Sequence, residues 1–292
     1  MDAAARRLER AAVPEPRREA EIVMAHLLGK DRGGVVARRP DPLDEALAAR
    51  FEKLVARRER REPLQYLTGE QEFMGLPFRV DSRVLVPRPE TEGVVTAALG
   101  LGLPAGARVA DLGTGSGCIS IALAVARSDL GLHALDISAE ALEVARWNAE
   151  RLGVGTRIDF VLSDLAEPPS EWSGTMDAVL SNPPYVAEDE WAGLSPEVRD
   201  YEPRVALVPG PSGLEAYRRV AASAIRLLVP GGCMVVELGF KREGGARDAA
   251  TRAGLTGLEV LPDLRGIPRV LLARRPWRSG APAREVLAWT RP

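Results

Sequence analysis

The chain has 292 residues, with 39 basic against 41 acidic (net charge −2), two Cys, two His and an apolar fraction of 46%. That composition belongs to a globular chain able to bury a core, and it excludes disordered and collagen-like polymers. At roughly 100–200 residues per domain the length implies two domains, or one with an appendage, and the balanced charge means that a nucleic-acid partner would need a local basic patch.

MDAAARRLER at the N-terminus is charged where a signal peptide needs an apolar run. No stretch reaches the ~18 apolar residues of a membrane span, so a cytoplasmic compartment is expected. From Met1 to about Phe73 the periodicity is helical. Leu43, Ala46, Leu47, Phe51, Leu54 and Val55 recur at three- and four-residue steps, and a second periodic segment runs from about Arg17 to Leu28. Pro14, Pro16, Pro40, Pro42 and Pro63 punctuate these segments, giving a small domain of three to five helices over residues 1–74. Between Gly75 and Val86 the period changes to two. Phe78, Val80, Val84 and Val86 predict a β-hairpin turning near Asp81-Ser82. It leads into PRPETE (Pro87 to Glu92), so residues 75–95 are expected to be a linker carrying a functional loop.

Residues 96–292 read as one α/β domain. Apolar runs at Arg108–Leu112, Leu132–Asp136, Ile158–Leu162, Ala178–Ser181, Cys233–Leu238, Leu258–Leu261 and Val270–Ala273 predict strands. Helices at about Cys118–Arg127, Ala139–Leu152, Leu214–Leu228 and Arg242–Ala253 separate most of them, which implies a mostly parallel sheet covered on both faces. The loop Pro262–Pro268 is too short for a helical crossover, so the last two strands should pair antiparallel. Cys118 and Cys233 lie far apart with no neighbouring ligand residues, and are expected to be buried thiols.

VADLGTGSG (Val109 to Gly117) ends a strand and opens a helix, the position at which an α/β sheet receives a nucleotide-like ligand. Its glycines are spaced G-x-G-x-G, unlike the G-x-G-x-x-G of dinucleotide sites, and no Gly-Lys-Ser/Thr phosphate loop occurs. Asp136 closes the next strand, nineteen residues after Gly117, where a carboxylate can accept both hydroxyl protons of a ribose. Asp164, after the third strand, is placed to receive the exocyclic amino group of adenine. A glycine turn with these two carboxylates describes an adenosine site without phosphate machinery, the signature of S-adenosylmethionine. Alone, either Asp could instead be a helix cap, the less favoured reading.

The fourth strand, MDAVLS, runs into Asn182-Pro183-Pro184-Tyr185. The two prolines fix φ and cannot extend the ladder, so the chain leaves the sheet in a set direction. A planar amide or aryl amine is a poor nucleophile, and methyl transfer places positive charge on its nitrogen. The Asn182 side-chain oxygen and the Pro183 carbonyl can accept its N–H protons while the Tyr185 ring packs on the planar group. Such chemistry requires no metal, Cys or His, and His26 and His133 are expected to be structural.

The sequence resembles the HemK-type (PrmC) peptide chain release factor glutamine methyltransferases. It carries PLQYLTGEQEFMGLPF (Pro63 to Phe78), LVPRPETE (Leu85 to Glu92), DLGTGSG, SNPPYV, DYEPRVAL (Asp200 to Leu207) and GLEAY (Gly213 to Tyr217) in that family's order. The resemblance implies a seven-stranded, Rossmann-like S-adenosylmethionine-dependent methyltransferase domain, preceded by a small all-α domain and a β-hairpin linker. It also implies methylation of the side-chain amide of the glutamine in the Gly-Gly-Gln loop of class-1 release factors. Gly113, Thr114, Gly115, Ser116, Gly117, Asp136, Leu165 and Asn182 would line the cofactor site and Asn182 to Tyr185 would hold the glutamine. The helical domain would grip the release factor. A monomer without stable nucleic-acid binding is expected, and the tail from Arg275 to Pro292 has no counterpart in the pattern. The residues alone leave open a different protein substrate, such as a ribosomal protein, or an adenine amino group in nucleic acid. The latter would want a basic duplex-binding face, for which the mixed Arg and Glu of the first domain offer no support. A non-enzymatic adaptor would be expected to lack Asn182 or the glycines.

Overall fold

A computed structural model of the chain describes residues 1–36 and 44–277. Pro40, Pro42 and Leu43, used above as helix signals, and the tail from residue 278 lie outside the described residues. In chain order the helical part comprises α1 (Asp2–Arg10), α2 (Pro16–Leu28), α3 (Arg32–Val36), α4 (Glu45–Glu59) and α5 (Leu64–Thr68). Two short strands follow, β1 (Glu70–Phe73) and β2 (Leu76–Arg79), then α6 (Glu92–Leu99), β3 (Arg108–Leu112), α7 (Cys118–Ala126), β4 (Gly131–Asp136), α8 (Ala139–Arg151), β5 (Ile158–Leu162) and β6 (Met176–Ser181). The remainder is α9 (Pro196–Tyr201), α10 (Glu215–Leu227), β7 (Leu228–Glu237), α11 (Glu243–Arg252), β8 (Thr256–Pro262) and β9 (Pro268–Arg274). Among the described residues no helix is long and apolar enough to cross a membrane.

These elements form two compact units that are discontinuous in sequence. Met1–Glu70, Val80–Ser82 and Leu194–Glu202 make one; Gln71–Arg79, Arg83–Gly193 and the chain from Pro203 make the other. In the first unit, α2 starts at Pro16, where the missing N–H costs nothing, and ends at Gly29 in the left-handed region (φ 59°). The start of α4 is capped by Asp44, whose carboxylate accepts from Leu47 N at 2.7 Å. Leu8, Ala20, Val23, Met24, Phe51 and Val55 form the core, so Phe51 and Val55 of the predicted stripe are buried. The buried Arg58 pairs with Glu19 and also with Glu197, 2.9 Å away, which Arg61 grips through two nitrogens at 2.6 and 2.7 Å. Tyr201 Oη donates to the Arg60 carbonyl at 2.7 Å. These contacts bind Leu194–Glu202 to helices that precede it by more than a hundred residues in the chain.

The hairpin is displaced from its predicted position. It comprises β1 and β2 and turns at Met74-Gly75, whereas Val80–Val86, expected to hold a turn at Asp81-Ser82 and a returning strand, contains no strand. Met74 (φ 52°) and Gly75 (φ 73°) both have positive φ, the requirement of the two-residue turn that matches strand twist. Val80, Val84 and Val86 are buried by tertiary packing, so their alternation mimicked a strand.

The second unit contains a seven-stranded sheet of order β5-β4-β3-β6-β7-β9-β8. β3 pairs in parallel with β4 on one side and β6 on the other, β6 pairs in parallel with β7, and β9 runs antiparallel to both β7 and β8. The antiparallel pairing expected of the last two strands is therefore present. Successive residues of a strand point to opposite faces. Val109, Ala178, Leu180 and Val235 accordingly meet Val94, Val95, Ile119 and Leu123 of α6 and α7, while Ala110, Leu112, Val179 and Met234 meet Val220, Ala224, Ala246 and Ala250 of α10 and α11. Cys118 and Cys233 are free and buried.

A fully buried amide ties the hairpin to this sheet. Asn148 of α8 accepts from Arg79 N at 2.8 Å and donates to Arg79 O at 3.1 Å and Ser116 O at 2.9 Å. No apolar side chain can satisfy these three backbone groups. Asn148→Leu should therefore lower unfolding free energy by on the order of 2–3 kcal/mol, the cost of stranding buried polar groups. Denaturant titration showing unchanged stability would refute this account of the link.

Candidate active site

The carboxyl ends of β3, β4 and β6 open onto a cavity of about 290 Å³ within the second unit. Its wall includes Gly113, Thr114, Gly115, Ser116, Asp136, Asp164, Leu165, Asn182 and Pro184. Of the residues singled out in the sequence, Gly117, Pro183 and Tyr185 do not line it. Gly117 (φ 84°) caps α7, and a Cβ there would meet Ile121 Cδ1 at 2.7 Å and Ala145 Cβ at 3.2 Å, so this glycine serves helix packing. The Tyr185 ring lies against Gly239, where a Cβ would come within 2.5 Å of Tyr185 Cδ2, and Arg242 Nε donates to the Tyr185 carbonyl at 3.0 Å.

The glycine loop is tied to the neighbouring strand. Gly113 N and Thr114 N both donate to Leu135 O at 2.9 Å, and Thr114 Oγ1 donates to Asp111 Oδ2 at 2.6 Å. Asp111 is buried and its Oδ1 has no partner among the described residues. Burial raises its pKa to about 6 against the lowering effect of the Thr114 hydroxyl.

Asp136 is held at both oxygens by backbone N–H groups, Gly115 at 2.8 Å and Ser138 at 2.9 Å. Burial raises its pKa and those N–H groups oppose the rise. A carboxylate offers about four lone-pair sites, so accepting capacity remains for a ligand. Asp164 Oδ1 accepts from Ala166 N at 2.7 Å and forms an ion pair with Arg219, itself on the cavity wall.

Asn182 lines the same cavity. Its Nδ2 donates to Thr91 Oγ1 at 3.0 Å, and Thr91 Oγ1 in turn donates to Glu237 Oε2 at 2.5 Å. Tyr185 Oη donates to the other oxygen of Glu237 at 3.4 Å. Glu237, at the end of β7, is completely enclosed, and burial raises its pKa to about 7 despite those hydrogen bonds.

Sequence reasoning missed several of these groups. Thr91 lay inside the PRPETE loop without a role of its own. Glu237 was readable as an acid closing an apolar strand, CMVVEL. Arg219 gave no signal. An apolar stretch of wall comes from Val205, Ala206, Val208 and Pro209, with Val84 and Leu85. His133 contacts Trp172 and accepts from Arg108 Nε at 3.3 Å, and neither His lines the cavity.

Residues 1–69 match the family model of the PrmC N-terminal domain and residues 96–193 that of the methyltransferase small domain. The release factor glutamine methyltransferase of Cereibacter sphaeroides is 44% identical over 277 residues, 94% of this chain and 97% of that protein. That of Nitratidesulfovibrio vulgaris is 44% identical over 276 residues, 93% of this chain and 92% of that protein. Among solved structures, the hMettl16 catalytic domain in complex with MAT2A 3'UTR hairpin 6 aligns with TM-score 0.54 at 16% identity, over 79% of this chain and 82% of that one, a likeness of fold.

The enclosed Glu237 carries a pH signature. Its pKa is raised from an ordinary 4.5 to about 7, so between those values the folded chain binds more protons than the unfolded chain. Stability must then fall as pH rises through that window. Glu237→Gln lacks this contribution, so the variant should gain on the wild type from pH 4.5 to 7 in denaturant unfolding. Parallel stability curves would refute the assignment.

Proposed function

The chain belongs to the release factor glutamine methyltransferase family, and from that membership and the cavity geometry we propose that it methylates the side-chain amide of the glutamine in the Gly-Gly-Gln loop of class-1 release factors, with S-adenosylmethionine as donor. The observation that carries this reading is the Asn182 amide. Anchored through Nδ2, it has its oxygen available as an acceptor beside a cavity that also carries Asp136 and the glycine loop.

S-adenosylmethionine supplies an electrophilic sulfonium methyl when bound. Gly113 to Ser116, Asp136 and Leu165 would hold it, Asp136 through the accepting capacity left by Gly115 and Ser138. Arg219 already engages one oxygen of Asp164, leaving the other for an adenine amino group.

The lone pair of an amide nitrogen is delocalised, so the protein must stabilise the positive charge that develops as the nitrogen is alkylated. Asn182 Oδ1 and the Pro183 carbonyl would accept its N–H protons, preorganised dipoles aimed at that charge. Pro183 and Pro184 keep them in place because a proline-fixed backbone has little freedom to relax. Tyr185 braces the turn through Gly239 and Glu237. The remaining requirement is alignment of nitrogen and methyl, which positioning alone can supply, and the proton leaves to solvent afterwards. The helical unit would dock the body of the release factor, its remote contacts favouring the reacting geometry of a thin glycine-flanked loop.

Asp136→Ala should raise the dissociation constant for S-adenosylmethionine by at least about tenfold, as loss of charge-assisted hydrogen bonds of about 1.5–3 kcal/mol each requires. Calorimetric titration of the folded variant measures it, and unchanged affinity would remove Asp136 from the cofactor site. The substrate assignment is tested by mass spectrometry of a release factor in which the loop glutamine is replaced by Glu. Methyl incorporation should vanish, whereas persistent labelling would reject the acceptor.

A further inference from the structure

Thr91 makes two contacts that together decide how Asn182 is oriented. Its Oγ1 donates to Glu237 Oε2 at 2.5 Å and accepts from Asn182 Nδ2 at 3.0 Å. A hydroxyl has one proton and two lone pairs. With the proton given to the carboxylate, only lone pairs face Asn182, and these bind the NH2 end of an amide. Half a turn about Cβ–Cγ would set the amide oxygen against those lone pairs, two acceptors with no proton between them. Above its pKa of about 7, where it is ionised, Glu237 cannot reverse the arrangement, because it accepts at both oxygens, from Thr91 and from Tyr185 Oη. The two hydrogen bonds of Thr91 join α6's entry turn, the residue just after β6 and the end of β7, residues 91, 182 and 237, which sequence separation alone would not associate.

We infer that Thr91 is a positioning residue for methyl transfer: with Glu237 fixing the direction of its proton, it holds the Asn182 amide so that oxygen, and not NH2, meets the acceptor nitrogen. The inference rests on the reading above, in which Asn182 Oδ1 receives the substrate N–H. Without Thr91 the amide samples both orientations, and in the wrong one two donors oppose each other.

The test uses the full-length enzyme, an intact release factor and saturating S-adenosylmethionine. Thr91→Val removes the hydroxyl at nearly constant shape, Thr91→Ala does so without crowding, and Thr91→Ser restores it. The first two should lose about tenfold to a hundredfold in kcat, the scale of a misplaced reacting group. KM for the release factor and Kd for S-adenosylmethionine should stay within about twofold, the split expected when only the transition state is affected. Thr91→Ser should recover most of the turnover. On an Asn182→Ala background Thr91→Val should cost nothing further, since the pair acts as one unit. Normal kcat in Thr91→Val or Thr91→Ala overturns the positioning role, as does a loss that persists undiminished on the Asn182→Ala background or falls on cofactor affinity. The two readings separate cleanly: impaired Asn182→Ala with unimpaired Thr91→Val rejects only this inference, whereas normal turnover in Asn182→Ala rejects the acceptor reading beneath it.

Discussion

Parallel pairing of β3 on both of its edges is the constraint from which the rest follows. Because β4 and β6 flank it in the same direction, with β7 parallel beyond β6, their carboxyl ends finish on one side of the sheet. The glycine loop, Asp136, Asn182 and Glu237 therefore emerge within reach of one another although they span more than a hundred residues of sequence. The order also reverses at β3, with β4 and β5 on one side and β6 and β7 on the other, and a crevice forms where such a reversal occurs.

That edge holds its acids at some expense. Asp111, next to last in β3, and Glu237, last in β7, are buried inside the protein, and burial moves both pKa values toward neutrality. Each is answered by a threonine hydroxyl, Thr114 for one and Thr91 for the other. The pattern is that of a site held in a defined arrangement at a cost in stability, as buried polar networks generally are.

The strands and the glycine turn were legible because their signals are local. Buried parallel strands are continuous apolar runs, and β3 begins and ends where its run does, as does the edge strand β5 although it is only partly buried. The hairpin was misplaced because alternating valines at 80, 84 and 86 report burial, and burial here comes from packing and not from a ladder, whereas the turn actually lies at a Met-Gly pair with little outward sign of its φ values. The partnership of Thr91 with Glu237 was invisible for a different reason. It depends on a contact across 146 positions, and nothing in either neighbourhood encodes the other. Nor did the sequence around Glu197 reveal that Arg58 and Arg61 would claim it.

That last attachment changes what kind of object the chain is. It passes between its two compact units five times, after residues 70, 79, 82, 193 and 202. A two-domain protein joined by one linker can be cut, shuffled or inherited as separable parts. Here no single break in the chain yields either unit whole, and a recombination event at any one boundary would strand a segment of the other. The helical unit and the methyltransferase unit are thus interleaved along the chain, and residues 194–202, between the Asn-Pro-Pro-Tyr turn and the apolar wall of the cavity, are one of the interleaved segments.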